Sequence, residues 1–118
     1  MVKMLRKVVD KNDPMQGTAR TADINGYSVI GKTGTAVKVS KTSKGYSKDV
    51  MTVFVSAYPE EKPEYLLLVM IDEPKVIPSK GLYRSDSGWN AVPTARSIIK
   101  RIGPILASKN YNIAFNAK

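Results

Sequence analysis

Apolar residues near the N-terminus recur at a spacing typical of a helix. From Val2 to Val9 they fall roughly three and four positions apart. Asn12-Asp13-Pro14 follows directly, and a polar pair before proline predicts that the helix stops there. The chain is therefore expected to open with a short amphipathic helix.

The C-terminal third has the same helical spacing over a longer stretch. Asn90 can cap this second helix, and Gly103-Pro104 predicts a kink or an end near Ile102, because proline has no N–H and clashes with the preceding turn. Residues 108–118 are expected to form a loose tail. The predicted helix has one apolar face, made of Ala91, Val92, Ala95, Ile98, Ile99, Ile102, Ile105 and Leu106.

Between the two helices the pattern changes to alternation, which predicts strands. Lys32 to Ser40 alternates like a half-buried strand, and Asp49 to Tyr58 is apolar on both faces, as expected of a central strand covered on both sides. Tyr65 to Asp72 is a further buried strand, joined to the second by a proline-bounded turn, whereas residues 41–48 form a loop. This order predicts an α+β fold: an antiparallel three-stranded meander packed by an N-terminal and a C-terminal helix. The length predicts a single domain, or part of one, over residues 1–118.

Composition excludes much of ordinary enzyme chemistry. The chain has 118 residues, of which 42% are hydrophobic and 25% charged, as in one soluble globular unit. It has no cysteine and no histidine, which excludes disulfides, thiol nucleophiles and any Ser-His pair. No cofactor or metal site is predicted. The longest uncharged apolar run, Tyr65 to Ile71, is far shorter than a membrane helix, and these residues predict neither a membrane span nor a targeting signal.

The net charge of +9 is unevenly distributed. A basic cluster occupies a Ser/Gly-rich stretch, but no row of aromatic residues runs through it to stack bases. A solvated basic loop is therefore favoured, and no nucleic-acid partner is predicted. The cluster consists of Lys32, Lys38, Lys41, Lys44 and Lys48.

The stretch Gly31-Lys32-Thr33-Gly34-Thr35 satisfies two motifs. Read back to Gly26, the sequence matches GxxxxGK[ST], a phosphate-binding loop, and a nucleotide-binding module is one alternative. That loop must follow a hydrophobic strand and open a helix. Here the preceding residues are polar and the following β-branched residues disfavour a helix. A non-catalytic binding module is the other alternative.

Read forward, KTG followed by Thr35-Ala36 on a strand resembles the third motif of the penicillin-recognising serine acyltransferases. The likeness is to the C-terminal part of the transpeptidase domain of a class B penicillin-binding protein, most of all to the division-specific peptidoglycan D,D-transpeptidases. Before the last helix the chain departs from that pattern, with Gly88-Trp89-Asn90-Ala91 in place of the commoner Gly-Gly pair. Further elements of the likeness, in order, are Gly17-Thr18-Ala19, Gly26-Tyr27, the loop ending Lys44 to Lys48, strands Thr52–Tyr58 and Leu66–Asp72, Glu73-Pro74, and Ala91 to Thr94.

The resemblance implies roles for four residues. Lys32 would set a positive potential and join the proton-transfer network, and the hydroxyls of Thr33 and Thr35 would bind the substrate's terminal carboxylate. The backbone N–H of Thr35 would be one of two oxyanion-hole donors. Gly34 would let the ligand approach the strand closely. The structural alternative for Lys32 is a solvated lysine that guards a sheet edge.

Two motifs of that family are absent upstream of Lys32: the SxxK motif, which supplies the acylated serine, and the SxN motif beside it. Ser97-Ile98-Ile99-Lys100 and Ser108-Lys109-Asn110 match as strings, but their order is reversed and both are interpreted as chance. The chain is thus expected to be an inactive fragment that carries one wall of the site.

The intact parent would be a D,D-transpeptidase that cross-links stem peptides in septal wall synthesis and is acylated by β-lactams. The resemblance places that parent in the bacterial inner membrane, facing the periplasm. Its partners would be a stem peptide or a β-lactam and the remainder of the transpeptidase domain. The isolated chain would be a soluble fragment that self-associates through the open edge of strand 65–72.

Overall fold

The computed structural model describes the backbone of residues 1–116 and the side chains of residues 1–109. The elements follow the predicted order of helix, three strands and helix, with short 3₁₀ turns in the connecting segments. The helices are α1 (Val2–Val9) and α2 (Ala91–Asn116), and the strands are β1 (Ile30–Val39), β2 (Tyr46–Tyr58) and β3 (Tyr65–Asp72).

The three strands form one antiparallel sheet in the order β1-β2-β3, which confirms the predicted meander and the central position of β2. The register pairs Gly34 with Val53 and Val53 with Met70. Because paired residues share a face and neighbours along a strand alternate, each row of the sheet belongs to one of two faces.

One face of the sheet packs on both helices and forms the core. Phe54 of β2 and Val69 of β3 lie in a single buried cluster with Val9 of α1 and Ile99 of α2. Burial of each such side chain stabilises the fold by about 1.5–3 kcal/mol. The alternating apolar positions of the strands and the apolar faces of the helices therefore meet as the sequence predicts.

The opposite face is open within the part of the chain that the structure describes. Leu66, Leu68 and Met70 are 72%, 51% and 55% exposed, beside the half-buried Val53 and Val55. The prediction that strand 49–58 is covered on both sides is therefore wrong for this chain. Its apolar residues do lie on both faces, but the described helices pack on only one.

A partly buried ion pair between Arg6 and Asp23 holds α1 against the segment before β1. Arg6 donates from Nη2 to Asp23 Oδ1 at 2.9 Å and from Nη1 to the Val29 carbonyl at 2.9 Å. Burial alone would raise the pKa of the Asp23 carboxyl, but the Lys11 N–H and the Arg6 guanidinium together hold that pKa below its ordinary value. On the other side, Arg96 of α2 donates to the carbonyls of Thr21 and Asp23.

Element ends differ from the sequence predictions in three places. β1 begins at Ile30 and β2 at Tyr46, so the basic loop predicted for 41–48 is shorter. The last helix does not end near Ile102 but runs through Pro104. Proline at this position costs one backbone hydrogen bond of the helix. Two contacts of Leu106 offset that cost: its side chain packs on the core, and its carbonyl accepts a 3.5 Å hydrogen bond from the Tyr65 hydroxyl.

The predicted loose tail, residues 108–118, is also different. The backbone is helical through Asn116, and residues 117–118 lie outside the described residues. No helix within residues 1–116 combines the length and the hydropathy that crossing a membrane requires.

Candidate active site

The KTG residues lie on β1, an edge strand whose outer side pairs with no other strand among the described residues. On β2, the carbonyls of Val50 and Tyr58 accept bonds from Glu73 and Glu64, so the even-numbered peptide groups of β2 face β3. The odd-numbered groups therefore face β1.

The register then fixes which peptide groups of β1 point outward. Lys32 pairs with Val55 and Gly34 with Val53, so the peptide groups of residues 32 and 34 point toward β2. Those of Thr33 and Thr35 point away from it, to the open edge, because the direction alternates along a strand. The N–H of Thr35 is thus presented to a ligand lying alongside β1.

Side chains of the motif divide between the two sheet faces. Lys32 lies on the open face and is exposed, with Nζ 2.7 Å from the carbonyl oxygen of Thr33. Thr33 and Thr35 lie on the helix-covered face. The strand therefore presents an ammonium group on one face, two hydroxyls on the other and a backbone donor at the edge between them.

A cavity of about 620 Å³ opens beside the two hydroxyls, between residues 16–21 and residues 82–89. The Thr33 hydroxyl lies 2.8 Å from that of Thr18, and Thr35 Oγ1 accepts a bond from the Ser87 N–H at 3.3 Å. Gly88 brings the two segments together, since a Cβ there would lie 2.9 Å from the Thr18 carbonyl oxygen. Each candidate substrate-binding hydroxyl is therefore supported from a different side of the cavity.

Two arginines that sequence reasoning missed line the same cavity, Arg20 and Arg84. Arg20 donates to Gln16 Oε1 at 2.7 Å, and Arg84 Nε lies 2.7 Å from Asp86 Oδ2. A guanidinium group is a natural partner for a carboxylate. Arg84 lies in the irregular segment between β3 and α2, which has no periodicity from which its position could be predicted.

The two motif glycines have different structural demands. A Cβ at Gly31 would lie 2.7 Å from the Phe54 ring, so the core requires glycine there. A Cβ at Gly34 would meet nothing closer than Val53 Cβ at 4.0 Å, and Gly34 is exposed. Folding does not demand glycine at position 34, whereas close approach of a ligand would.

The phosphate-loop alternative is wrong. Gly31, Lys32 and Thr33 lie inside β1, which is followed by the loop 40–45 and by β2, and not by a helix whose N-terminus could hold a phosphate. Among residues described by the structure, no group of three or more His, Cys, Asp or Glu side chains could hold a metal ion.

The string Ser97 to Lys100 does not form a nucleophile site. Ser97 is exposed on α2, does not line the cavity and donates its hydroxyl to the Pro93 carbonyl at 3.1 Å. In the second string, Ser108 and Lys109 are exposed on α2, and the Asn110 side chain lies outside the described residues. No SxxK serine faces the KTG strand within residues 1–109.

Comparison with known proteins agrees with this geometry. Penicillin-binding protein transpeptidase domains match residues 1–100. The chain belongs to this family, which confirms the resemblance carried by the KTG strand and its flanks.

Individual relatives show which penicillin-binding proteins the chain is similar to. The chain is 33% identical, over 114 residues and 92% of its length, to the probable peptidoglycan D,D-transpeptidase FtsI of Caulobacter vibrioides, and covers 19% of that protein. It is 37% identical over 73% of its length to an FtsI homolog of Chlorokybus atmophyticus, of which it covers 12%. Penicillin-binding protein 3 of Mycobacterium tuberculosis, solved with ampicillin, superposes with a TM-score of 0.66 at 29% identity, over 86% of this chain and 23% of that one. The chain thus spans less than a quarter of the length of each of these three proteins.

Proposed function

We propose that this chain is the C-terminal portion of the transpeptidase domain of a peptidoglycan D,D-transpeptidase of the division type. The observation that carries the proposal is the free edge of β1, where the outward N–H of Thr35 lies between Lys32 on one face and two hydroxyls on the other. The complete enzyme would cross-link stem peptides and be acylated by β-lactams.

In this proposal the ligand lies along β1 as an added strand and bonds to its outward peptide groups. The Thr35 N–H donates to the carbonyl oxygen of the scissile bond, whose negative charge grows in the transition state. A serine from outside this chain attacks that carbonyl, the bond to the leaving group breaks, and an acyl-serine ester remains. Lys32 supplies positive potential and takes part in the proton transfers on its own face.

The terminal carboxylate of the ligand is assigned to the cavity beside Thr33 and Thr35. Their hydroxyls donate to it, and Arg20, which bonds to the neutral Gln16 amide, supplies positive charge that offsets its desolvation. The charge of Arg84 is compensated by Asp86 in the same cavity. Lys32 is on the opposite face, so its charge serves the reacting bond more directly than it serves the carboxylate.

The required partner is the remainder of the transpeptidase domain. It would supply the SxxK serine and the SxN motif, cover the open face around Leu66, Leu68 and Met70, and pair with the outer edge of β3. Without it, exposed apolar side chains and unpaired backbone groups coincide on β3, and the isolated chain self-associates. The parent enzyme would be anchored in the inner membrane and act on the periplasmic side.

Penicillin labelling tests this function. The gene is extended upstream of Met1, and the full-length product and the 118-residue chain are each incubated with a fluorescent penicillin. The full-length protein should be labelled on a serine upstream of residue 1, Lys32→Ala should slow labelling by about 10²-fold or more, and the short chain should stay unlabelled.

Two results would overturn the proposal. One is an unlabelled but folded full-length protein, which would favour a non-catalytic binding module. The other is labelling of the short chain, for which Ser97→Ala would identify the serine. The matched control for Lys32→Ala is Lys3→Ala, because Lys3 is an exposed lysine of α1 that does not line the cavity.

A further inference from the structure

A turn beside the cavity is hydrogen-bonded both to the KTG strand and to the neighbouring strand β2. Ser87 is 2% exposed, and its backbone N–H donates to Thr35 Oγ1 at 3.3 Å. Its own hydroxyl donates to the Val53 carbonyl of β2 at 2.8 Å. The turn is therefore fastened to β2 at the position that lies next to Thr35.

Asn90 fixes the same turn from its other end. Its Oδ1 accepts from the Thr52 hydroxyl at 2.6 Å and from the Ala91 N–H at 2.7 Å. Its Nδ2 donates to the carbonyls of Ser85 at 3.0 Å and Asp86 at 2.8 Å. All four hydrogen-bonding positions that these two groups offer are used, which ties the turn to β2 and to the start of α2.

These bonds bear on what the Thr35 hydroxyl can do. A hydroxyl has one hydrogen to donate and two lone pairs to accept with. The backbone N–H of Ser87 can only donate, so it occupies a lone pair of Thr35 Oγ1 and leaves the hydroxyl hydrogen for another acceptor. The cavity is where an acceptor would lie, and the bond restricts rotation of the hydroxyl.

We propose that Ser87 and Asn90 are positioning residues that hold the Thr35 hydroxyl ready to donate to the ligand's carboxylate. Asn90 sets the turn, the turn sets the Ser87 N–H, and that N–H orients Thr35. This rests on the proposed function. Its distinct content is that Ser87 and Asn90 act through Thr35, and only on ligands that carry the carboxylate.

The test measures the second-order rate of acylation of the full-length protein by benzylpenicillin. Asn90→Ala and Ser87→Ala should each slow it by about tenfold, the scale of one hydrogen bond to a charged group. In a Thr35→Val background the same substitutions should cause no further loss, because the hydroxyl they orient is gone. Thr52→Val should behave like Asn90→Ala, and Thr52→Ser, which keeps the hydroxyl, should restore the rate.

Thr94→Val is the matched control. Its hydroxyl also contacts residue 90, donating to the Asn90 carbonyl at 2.8 Å, but it lies on the exposed side of α2. Its rate should equal that of the wild type. Thermal unfolding of every variant separates loss of fold from loss of orientation, and the isosteric Thr52→Val serves if Asn90→Ala fails to fold.

The outcomes separate the two claims. An unacylated wild-type protein would remove the proposed function. An acylated wild type in which Asn90→Ala, Ser87→Ala and Thr52→Val leave the rate unchanged would overturn the positioning role alone. The role would also be overturned if these substitutions slowed acylation equally with threonine and with valine at position 35. A purely structural role would lower the acylation rate by the same factor in both cases.

Discussion

The two outer strands of the sheet, β1 and β3, both present unpaired peptide groups among the described residues, yet their side chains differ sharply. β1 carries Lys32, hydroxyls and an exposed glycine, and two segments with two arginines flank it. On β3 the peptide groups of Leu66, Leu68, Met70 and Asp72 point outward, and the first three of these residues are exposed and apolar. The same backbone geometry can thus offer one edge to a small polar ligand and the other to a protein strand.

The first prediction concerns the outward N–H of Thr35 at the edge of β1. Thr35→Pro removes the outward N–H together with the hydroxyl, whereas Thr35→Val removes the hydroxyl alone. We expect Thr35→Pro to be acylated about 10²-fold more slowly than Thr35→Val, the usual effect of losing one oxyanion donor. Stability should change little, since that N–H makes no bond to β2. Equal acylation rates in the two variants would remove the oxyanion role from Thr35.

The second prediction compares glycines on the two faces of β1. Gly31→Ala should lower the free energy of unfolding by about 1–3 kcal/mol, because its Cβ would collide with Phe54. Gly34→Ala should leave that free energy within about 0.5 kcal/mol but slow acylation. Denaturant unfolding and penicillin labelling measure the two effects. A large loss of stability in Gly34→Ala would show that folding, and not ligand approach, requires glycine there.

The third prediction concerns Asp23, whose ion pair with Arg6 holds α1 against the segment before β1. Asp23 has a lowered pKa in the fold, so its stabilising contribution is present above the pKa of the unfolded chain, near 3.8, and is lost as pH falls through the lower folded value. Asp23→Asn should lower the free energy of unfolding by about 2 kcal/mol at neutral pH. It should also make that free energy depend less on pH below about pH 4. If the stability of Asp23→Asn depended on acidic pH as strongly as that of the wild type, Asp23 would not be the group responsible.

The smallest expected effect lies on the β3 edge. Leu68→Pro removes an outward N–H without touching the ladder to β2, and should weaken self-association of the isolated chain by about tenfold. Leu67→Pro is its control, because the Leu67 N–H faces β2 and its loss should unfold the hairpin. Light scattering over a concentration series measures both. A wild-type chain that stays monomeric at high concentration would contradict the open-edge account.

Sequence patterns predicted the parts of the molecule that depend on local spacing. The meander, the central position of β2, the cap at Asn90 and the edge location of Lys32 all follow from alternation, helical spacing and turn residues. The apolar residues on both faces of β2 also led to the prediction that other elements pack on both faces. The pattern shows only that both faces of the strand are apolar. Whether a partner is present depends on residues elsewhere.

The loop between β3 and α2 shows where such prediction ends. Arg84 lines the cavity beside the KTG strand, and Ser87 bonds to Thr35 of that strand. Both residues come from a stretch without periodicity, so no spacing argument could place them. Ser87 contacts Thr35 across 52 positions of sequence, a pairing that only the folded register determines. The helix end that was one of the two outcomes predicted near Ile102 is absent for a related reason, since tertiary contacts of Leu106 override a local helix breaker.

The most direct measurement is a crystal structure of the full-length protein acylated by penicillin. The account predicts that the carbonyl oxygen of the acyl group lies about 2.7–3.1 Å from the Thr35 nitrogen, with the carboxylate beside the Thr33 and Thr35 hydroxyls. An acyl carbonyl directed away from β1, or a carboxylate bound on the Lys32 face, would contradict it.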